Sequence, residues 1–120
     1  MQGREEDRGS LGRLGERLAR TFLESRGYRI VAVDFRIGRH QADLLAWEGG
    51  RPVVVEVKSC RGPGRPAAHF TLRQASRLLA LGESFFQGRG GPVRIDLVIV
   101  QFPRKGSPRI EVFPDRRLLP

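Results

Sequence analysis

The chain has 120 residues, 39% of them hydrophobic and 29% charged, with a net charge of +9. That length supports one domain with a modest single core. No apolar run approaches the ~20 residues that span a bilayer, and a lone cysteine, Cys60, excludes an internal disulfide and fits a reducing cytoplasm. The positive charge suits a polyanionic partner without choosing one, because an arginine-biased composition or an RNA-associated protein would carry the same excess.

Residues 1–9 are polar, mixed in charge and unlike a secretory leader, and are expected to form a flexible tail. Ser10 is a candidate N-cap. Leu11, Leu14, Leu18, Ala19, Phe22 and Leu23 then form a helical stripe that Gly27 ends. Tyr28–Phe35, Gln41–Trp47 and Pro52–Lys58 read as three strands, the second and third joined by the glycine turn Glu48-Gly49-Gly50-Arg51. Cys60–Ala67 is a loop rich in arginine, glycine and proline. Thr71–Gln87 reads as a second helix, Val93–Phe102 as a long strand and Arg109–Phe113 as a short one. Residues 114–120 are a tail, so a single domain spans 10–113. The order α-β-β-β-α-β-β predicts a mixed sheet flanked by helices. The third strand, second helix and fourth strand form a βαβ crossover and require a parallel pair.

The chemistry concentrates in the hairpin. Of 22 basic residues only Lys58 and Lys105 are lysine, and Lys58 ends the apolar run Pro52-Val53-Val54-Val55-Glu56-Val57-Lys58. Side chains alternate along a strand, so Glu56 and Lys58 share a face, roughly 7 Å apart. Taking two such charges from water costs several kcal/mol per ion, and an ammonium is a compact point charge that shifts its pKa readily, unlike a guanidinium. The antiparallel hairpin returns Glu56 alongside Asp43. Two carboxylates and a lysine suit Mg²⁺ or Mn²⁺ and an anionic substrate. An edge aspartate and a same-strand ion pair are the plain alternatives for these residues. For Glu16 the plain alternative is a surface pair with Arg20 one turn later.

An aspartate, a spacer and Glu-x-Lys across a hairpin resemble the PD-(D/E)xK nuclease motif. Over residues 11–113 the chain more closely resembles the YraN-like family of small bacterial predicted endonucleases, related to archaeal Holliday-junction resolvases. The similarity rests on Gly15-Glu16-x-x-Ala19, Gly27-Tyr28-x-Ile30, Asp34-x-Arg36, His40-Gln41-Ala42-Asp43-Leu44-Leu45-Ala46, Val55-Glu56-Val57-Lys58 and Arg94-Ile95-Asp96. The chain departs from the family where Gln41 replaces a glutamate, Asp34 stands where asparagine is frequent, and Gln74 stands where lysine is frequent.

The resemblance implies a restriction-endonuclease-like α/β fold and a Mg²⁺- or Mn²⁺-dependent endonuclease acting on DNA, branched or junction DNA included. A catalytically idle nucleic-acid-binding module in recombination, repair or DNA uptake is the alternative, and RNA remains a possible substrate. Asp43, Glu56, Lys58 and Glu16 would be catalytic. Asp43, Glu56 and the Val57 carbonyl would hold the metal, with Glu16 as a further ligand. Arg61, Arg65, Arg73 and Arg77 would hold the phosphate backbone, with Gln74 beside them. Asp96 reads as structural, paired with an arginine. His40 and His69 read as loop histidines, and Cys60 as a small apolar filler. A two-fold junction needs two cuts, so the resemblance suggests a homodimer, with Leu78, Leu79, Leu81, Phe85 and Phe86 as its apolar surface; burial of these residues by the sheet and by Leu118 and Leu119 within one monomer is the plain alternative.

Overall fold

The computed structural model describes residues 2–63 and 70–115, with side chains from residue 9 onward. Helix α1 spans Gln2–Ser25. Strands β1 (Arg29–Ile37), β2 (His40–Glu48) and β3 (Arg51–Arg61) follow, then helix α2 (Leu72–Phe86) and strands β4 (Arg94–Phe102) and β5 (Arg109–Phe113). The five strands form one sheet in the order β1-β2-β3-β4-β5. β3 and β4 run parallel, from Val53↔Arg94 to Arg61↔Phe102, and the other neighbours are antiparallel.

Two boundaries differ from expectation. α1 begins at Gln2, so the segment expected as a tail is helical and Ser10 lies within the helix. Residues 4–8 include two arginines and two glutamates, which are good helix formers. β3 continues through Cys60 to Arg61 because β4 pairs with it that far, and that backbone pairing overrides a glycine- and proline-rich neighbourhood. Arg65, His69, Leu118 and Leu119 lie outside the described residues.

The chain's turns follow from local chemistry. At the end of α1, the Tyr28 N–H donates to the Leu23 carbonyl at 3.0 Å and the Gly27 N–H to that of Glu24 at 3.1 Å, a Schellman closure. Gly49 and Gly50 both have positive φ, 58° and 78°, as a two-residue hairpin loop of the favoured hand demands. α2 starts with a capping box: the Gln74 N–H donates to Thr71 Oγ1, and the Thr71 N–H donates to Gln74 Oε1. Gln74 therefore has a structural task of its own.

The sheet is a layer between two cores. On the α2 side Leu45, Val54, Ile95, Leu97 and Ile99 meet Ala75, Leu78, Leu81 and Phe86. On the α1 side Leu44, Val53, Val55, Val98 and Val100 meet Ala19 and Leu23. The apolar half of α2 is thus covered within one chain. Leu78, Leu81 and Phe86 are buried, and Leu79 and Phe85 pack against the same cluster, while Leu72 at the start of the helix is 54% exposed.

On the α1 face, Asp96 is fully buried. Arg94 donates to it through Nε at 2.9 Å and Nη2 at 2.8 Å, the Tyr28 hydroxyl donates at 2.6 Å, and the Asp115 N–H at 3.1 Å. Arg94 also reaches Glu48 at 2.9 Å, tying β2 to β4 across β3. Burial and the Asp96 carboxylate together raise the Tyr28 phenol well above its ordinary range. The expected structural pairing of Asp96 is present. Removing one partner strands a buried charge, so Arg94→Ala should destabilise the protein by about 3–5 kcal/mol. Urea unfolding checks this. A loss no greater than that of an exposed pair, at most about 1 kcal/mol, would show the network to be dispensable.

Candidate metal centre

β2 pairs with β3 from Glu48↔Arg51 to Leu44↔Val55, and beyond that point the strands part. Where the ladder ends, the Asp43 carboxylate takes its place: Val57 donates its N–H to Asp43 Oδ2 at 2.7 Å. The alternation of β2 breaks here too, since Ala42 and Leu45 both lie in the α2-side core while Leu44 lies in the α1-side core. In β1, Asp34 adopts φ 51°, a left-handed conformation that aspartate tolerates better than most non-glycine residues. These two irregularities lie on neighbouring strands, at the pairs Val33↔Leu44 and Phe35↔Ala42.

α1 supplies the third side. It crosses β3 so closely that a Cβ at Gly15 would fall 1.8 Å from Ser59 Oγ and 3.1 Å from Ser59 Cβ. That approach brings Glu16, the next residue, over the sheet. One carboxylate oxygen each from Glu16, Asp34 and Asp43 lies within 4.8 Å of the other two. Three convergent carboxylates are hard oxygen donors of the kind that hold a divalent cation. The cluster could hold a metal ion.

Glu56 joins through Asp43 from the other side. Its carboxyl is pushed up to about 8, by burial first and then by its hydrogen bond with and repulsion from Asp43, while Lys58 opposes the shift. Lys58 Nζ stands 3.5 Å from Glu56 Oε2. The Glu16 carboxyl is likewise pushed up to about 7, by burial and then by Asp43 and Asp34. Asp43 is therefore the hub that both Glu16 and Glu56 feel.

Two clefts expose the carboxylates around this hub, one Glu16 and Asp34 and the other Glu56. One, about 500 Å³, is lined by Arg13, Glu16, Arg17, Arg20, Val33 and Asp34 with Ser10 and Leu44. The other, about 210 Å³, is lined by Arg39, His40, Gln41, Glu56, Gln74, Arg77 and Leu78.

The expected residues fall into place unevenly. Asp43, Glu56, Lys58 and Glu16 come together. Val57 engages Asp43 by its N–H, whereas its carbonyl was the group expected to matter. Arg20 pairs with Glu24 at 3.6 Å, so the plain surface partner imagined for Glu16 is taken elsewhere. Arg77 and Gln74 reach the cleft that exposes Glu56, while Arg61 and Arg73 are exposed and line neither cleft. Burial raises the Cys60 thiol, which disfavours its thiolate and fits an inert filler.

Two contributions go beyond the motifs. Asp34 belongs to one of them, and an aspartate between Val33 and Phe35 inside a strand is a signal in itself. Gln41 now has an explanation beside it. Its Nε2 donates to Asp34 Oδ1 at 3.3 Å, so the Gln41 amide stands beside a carboxylate of the cluster. The arginines of α1 are the second contribution, because their cleft exists only once α1 is laid against β1.

A five-stranded mixed sheet between two helices, with Glu-x-Lys on its third strand facing an aspartate on its second, defines a restriction-endonuclease-like α/β protein. A family model described as "Uncharacterised protein family UPF0102" matches residues 15–100. A UPF0102 protein of Clavibacter michiganensis is 42% identical over 114 residues, covering 91% of this chain and 94% of the relative. One of Streptomyces griseus is 40% identical over 110 residues, covering 87% and 92%. One of Herpetosiphon aurantiacus is 32% identical over 117 residues, covering 90% and 94%. The chain belongs to the UPF0102, or YraN-like, family. Among the described residues, no helix is long and apolar enough to cross a membrane.

The raised carboxyls have a thermodynamic consequence. Both start from an ordinary value of 4.5 and are held protonated in the fold to about 7 and about 8. Between these limits the native state binds more protons than the unfolded chain, so stability falls as pH rises and levels off above the folded values. In chelator, the urea midpoint should fall from pH 5 to pH 8, and Asp43→Asn should flatten that decline by removing the charge both groups feel. A midpoint that rises over this interval in the wild type would contradict the assignment.

Proposed function

We propose that the protein is a metal-dependent endonuclease that hydrolyses phosphodiester bonds in DNA. The observation that carries this reading is the convergence of Glu16, Asp34 and Asp43, backed by the Glu56–Lys58 pair on the far side of Asp43. So many carboxylates in partial burial repel one another, and a fold tolerates that most readily where a cation is to be held.

Asp43 is the central ligand in this reading. Its orientation is fixed by the Val57 N–H, and one of its oxygens lies within 4.8 Å of a carboxylate oxygen of Glu16 and of Asp34. Glu16 and Asp34 would complete an oxygen set for Mg²⁺ or Mn²⁺ on the α1 side, and Glu56 and the Val57 carbonyl would be further donors from β3. A hard divalent cation held there would supply Lewis-acid charge at the scissile phosphate and lower the pKa of a water. Lys58, with its ammonium 3.5 Å from Glu56 Oε2, orients the attacking water or offsets charge that develops on phosphate oxygens. Exposed arginines around the clefts hold the backbone without reading bases.

The test is cleavage of linear and branched DNA, with an RNA arm, in Mg²⁺, Mn²⁺ and chelator. The wild type should cut only with metal. Asp43→Asn keeps an oxygen acceptor for the Val57 N–H, so the fold and DNA binding should survive while the cutting rate falls at least about 100-fold. Glu56→Gln should fall similarly, and Lys58→Ala should lose rate far more than affinity, by about 100- to 1000-fold. If both carboxylate variants cut as fast as the wild type, the reading fails. DNA binding with no cleavage in any metal would leave a binding module.

A further inference from the structure

Arg13, Arg17 and Arg20 stand at helical positions i, i+4 and i+7, which places them along one face of α1. All three line the larger cleft, with Glu16 between them on the same helix and Asp34 and Val33 on the β1 wall opposite. All three are exposed. Their present contacts are weak: Arg13 reaches Ser10 Oγ at 3.3 Å, and Arg20 meets Glu24 at 3.6 Å with both side chains close to half exposed. Exposed contacts of that kind contribute at most about 1 kcal/mol, so a phosphate can displace them at little cost.

At 1.5 Å rise per residue the row extends roughly 10 Å along the helix. One strand of a duplex presents a phosphate about every 3.4 Å of axis, so the row spans about three phosphate-to-phosphate steps. The cleft, about 500 Å³, is the size of a small-molecule site, which runs from about 300 to 1,000 Å³. It accommodates a short stretch of one strand. Guanidinium forks match phosphate oxygens bidentately, and this chain has placed arginine at each of the three positions.

We propose that Arg13, Arg17 and Arg20 form a phosphate-tracking row that guides one nucleic-acid strand along α1 and across the acidic centre. This deepens the endonuclease reading and rests on it. The strand then approaches from the α1 side. The alternative path, over the segment after β3 and the exposed face of α2, would use Arg61, Arg73 and Arg77. The row also solves a local problem. Glu16 and Asp34 in the same cleft repel a polyanion, and three flanking cations outweigh them.

Two triple variants separate the paths: R13Q/R17Q/R20Q and R61Q/R73Q/R77Q. Binding of a short fluorescein-labelled single strand is measured by anisotropy across a salt series, in chelator and again in Ca²⁺. Circular dichroism and the urea midpoint confirm that each variant is folded. The α1 triple should weaken binding at least 10-fold at moderate salt. It should also lower the slope of log affinity against log salt by about 2, since each phosphate contact on a single strand contributes about 0.7. A merely structural role for these arginines would not move that slope in a folded protein. The proposal is overturned if the α1 triple keeps the wild-type affinity and slope, or if the α2 triple loses more of both. In either case metal-dependent cleavage by the wild type would leave the endonuclease reading standing. A wild type that neither binds nor cuts nucleic acid removes both.

Discussion

The hydrogen bond from the Val57 N–H to the Asp43 carboxylate is the contact on which this molecule turns. It lies where β2 and β3 stop pairing, and it gives a backbone donor a partner that the sheet no longer supplies. A buried amide without such a partner costs about 1–3 kcal/mol, so the carboxylate has a structural task before it has a chemical one. In performing it, Asp43 becomes a negative charge fixed at the sheet's divergence. Glu16 from α1, Asp34 from β1 and Glu56 from β3 then meet around it. Each of the four comes from a different element, so the cluster exists only when the whole fold does.

The same fold sets a contrast between two charged clusters. On the α1 face, Asp96 is completely buried and every contact around it is complementary: a bidentate guanidinium, a phenol and a backbone amide. Around Asp43 the contacts are largely of like sign, and the neighbouring carboxyls respond by holding their protons. The first arrangement fastens strands together. The second stores repulsion that protonation or a bound cation would relieve. Gly15 makes the second possible, because any side chain there would lift α1 from Ser59 and carry Glu16 with it.

Much of this was legible in the sequence. Period-two and helical patterns gave the seven elements in order, and the glycine pair at 49–50 closed the hairpin that aligns Asp43 with Glu56. What local patterns could not show were consequences of tertiary placement. Ser10 looked like a helix start because capping preference is local, yet the helix runs through it. Leu79 and Phe85 looked uncovered because a helix alone does not reveal how wide a sheet it meets. Asp34 and the arginines of α1 gained meaning only from facing each other across a cleft. Gln41 read as a lost carboxylate until the structure set Asp34 beside it.

The choice of cation at each place follows from these geometries. Arginine is the default basic residue of the chain, and Arg94 shows why it suits a structural role: its planar fork meets both oxygens of Asp96 and still reaches Glu48. Lys58 meets Glu56 with one nitrogen at 3.5 Å, a loose and partly exposed contact. A fork at that position would bind the carboxylate at two points and hold it. A single ammonium leaves Glu56 an oxygen for another partner and has further N–H donors of its own. The chain thus uses guanidinium where two strands must be locked and an ammonium where charge must stay available, which is the division a site built around Asp43 requires.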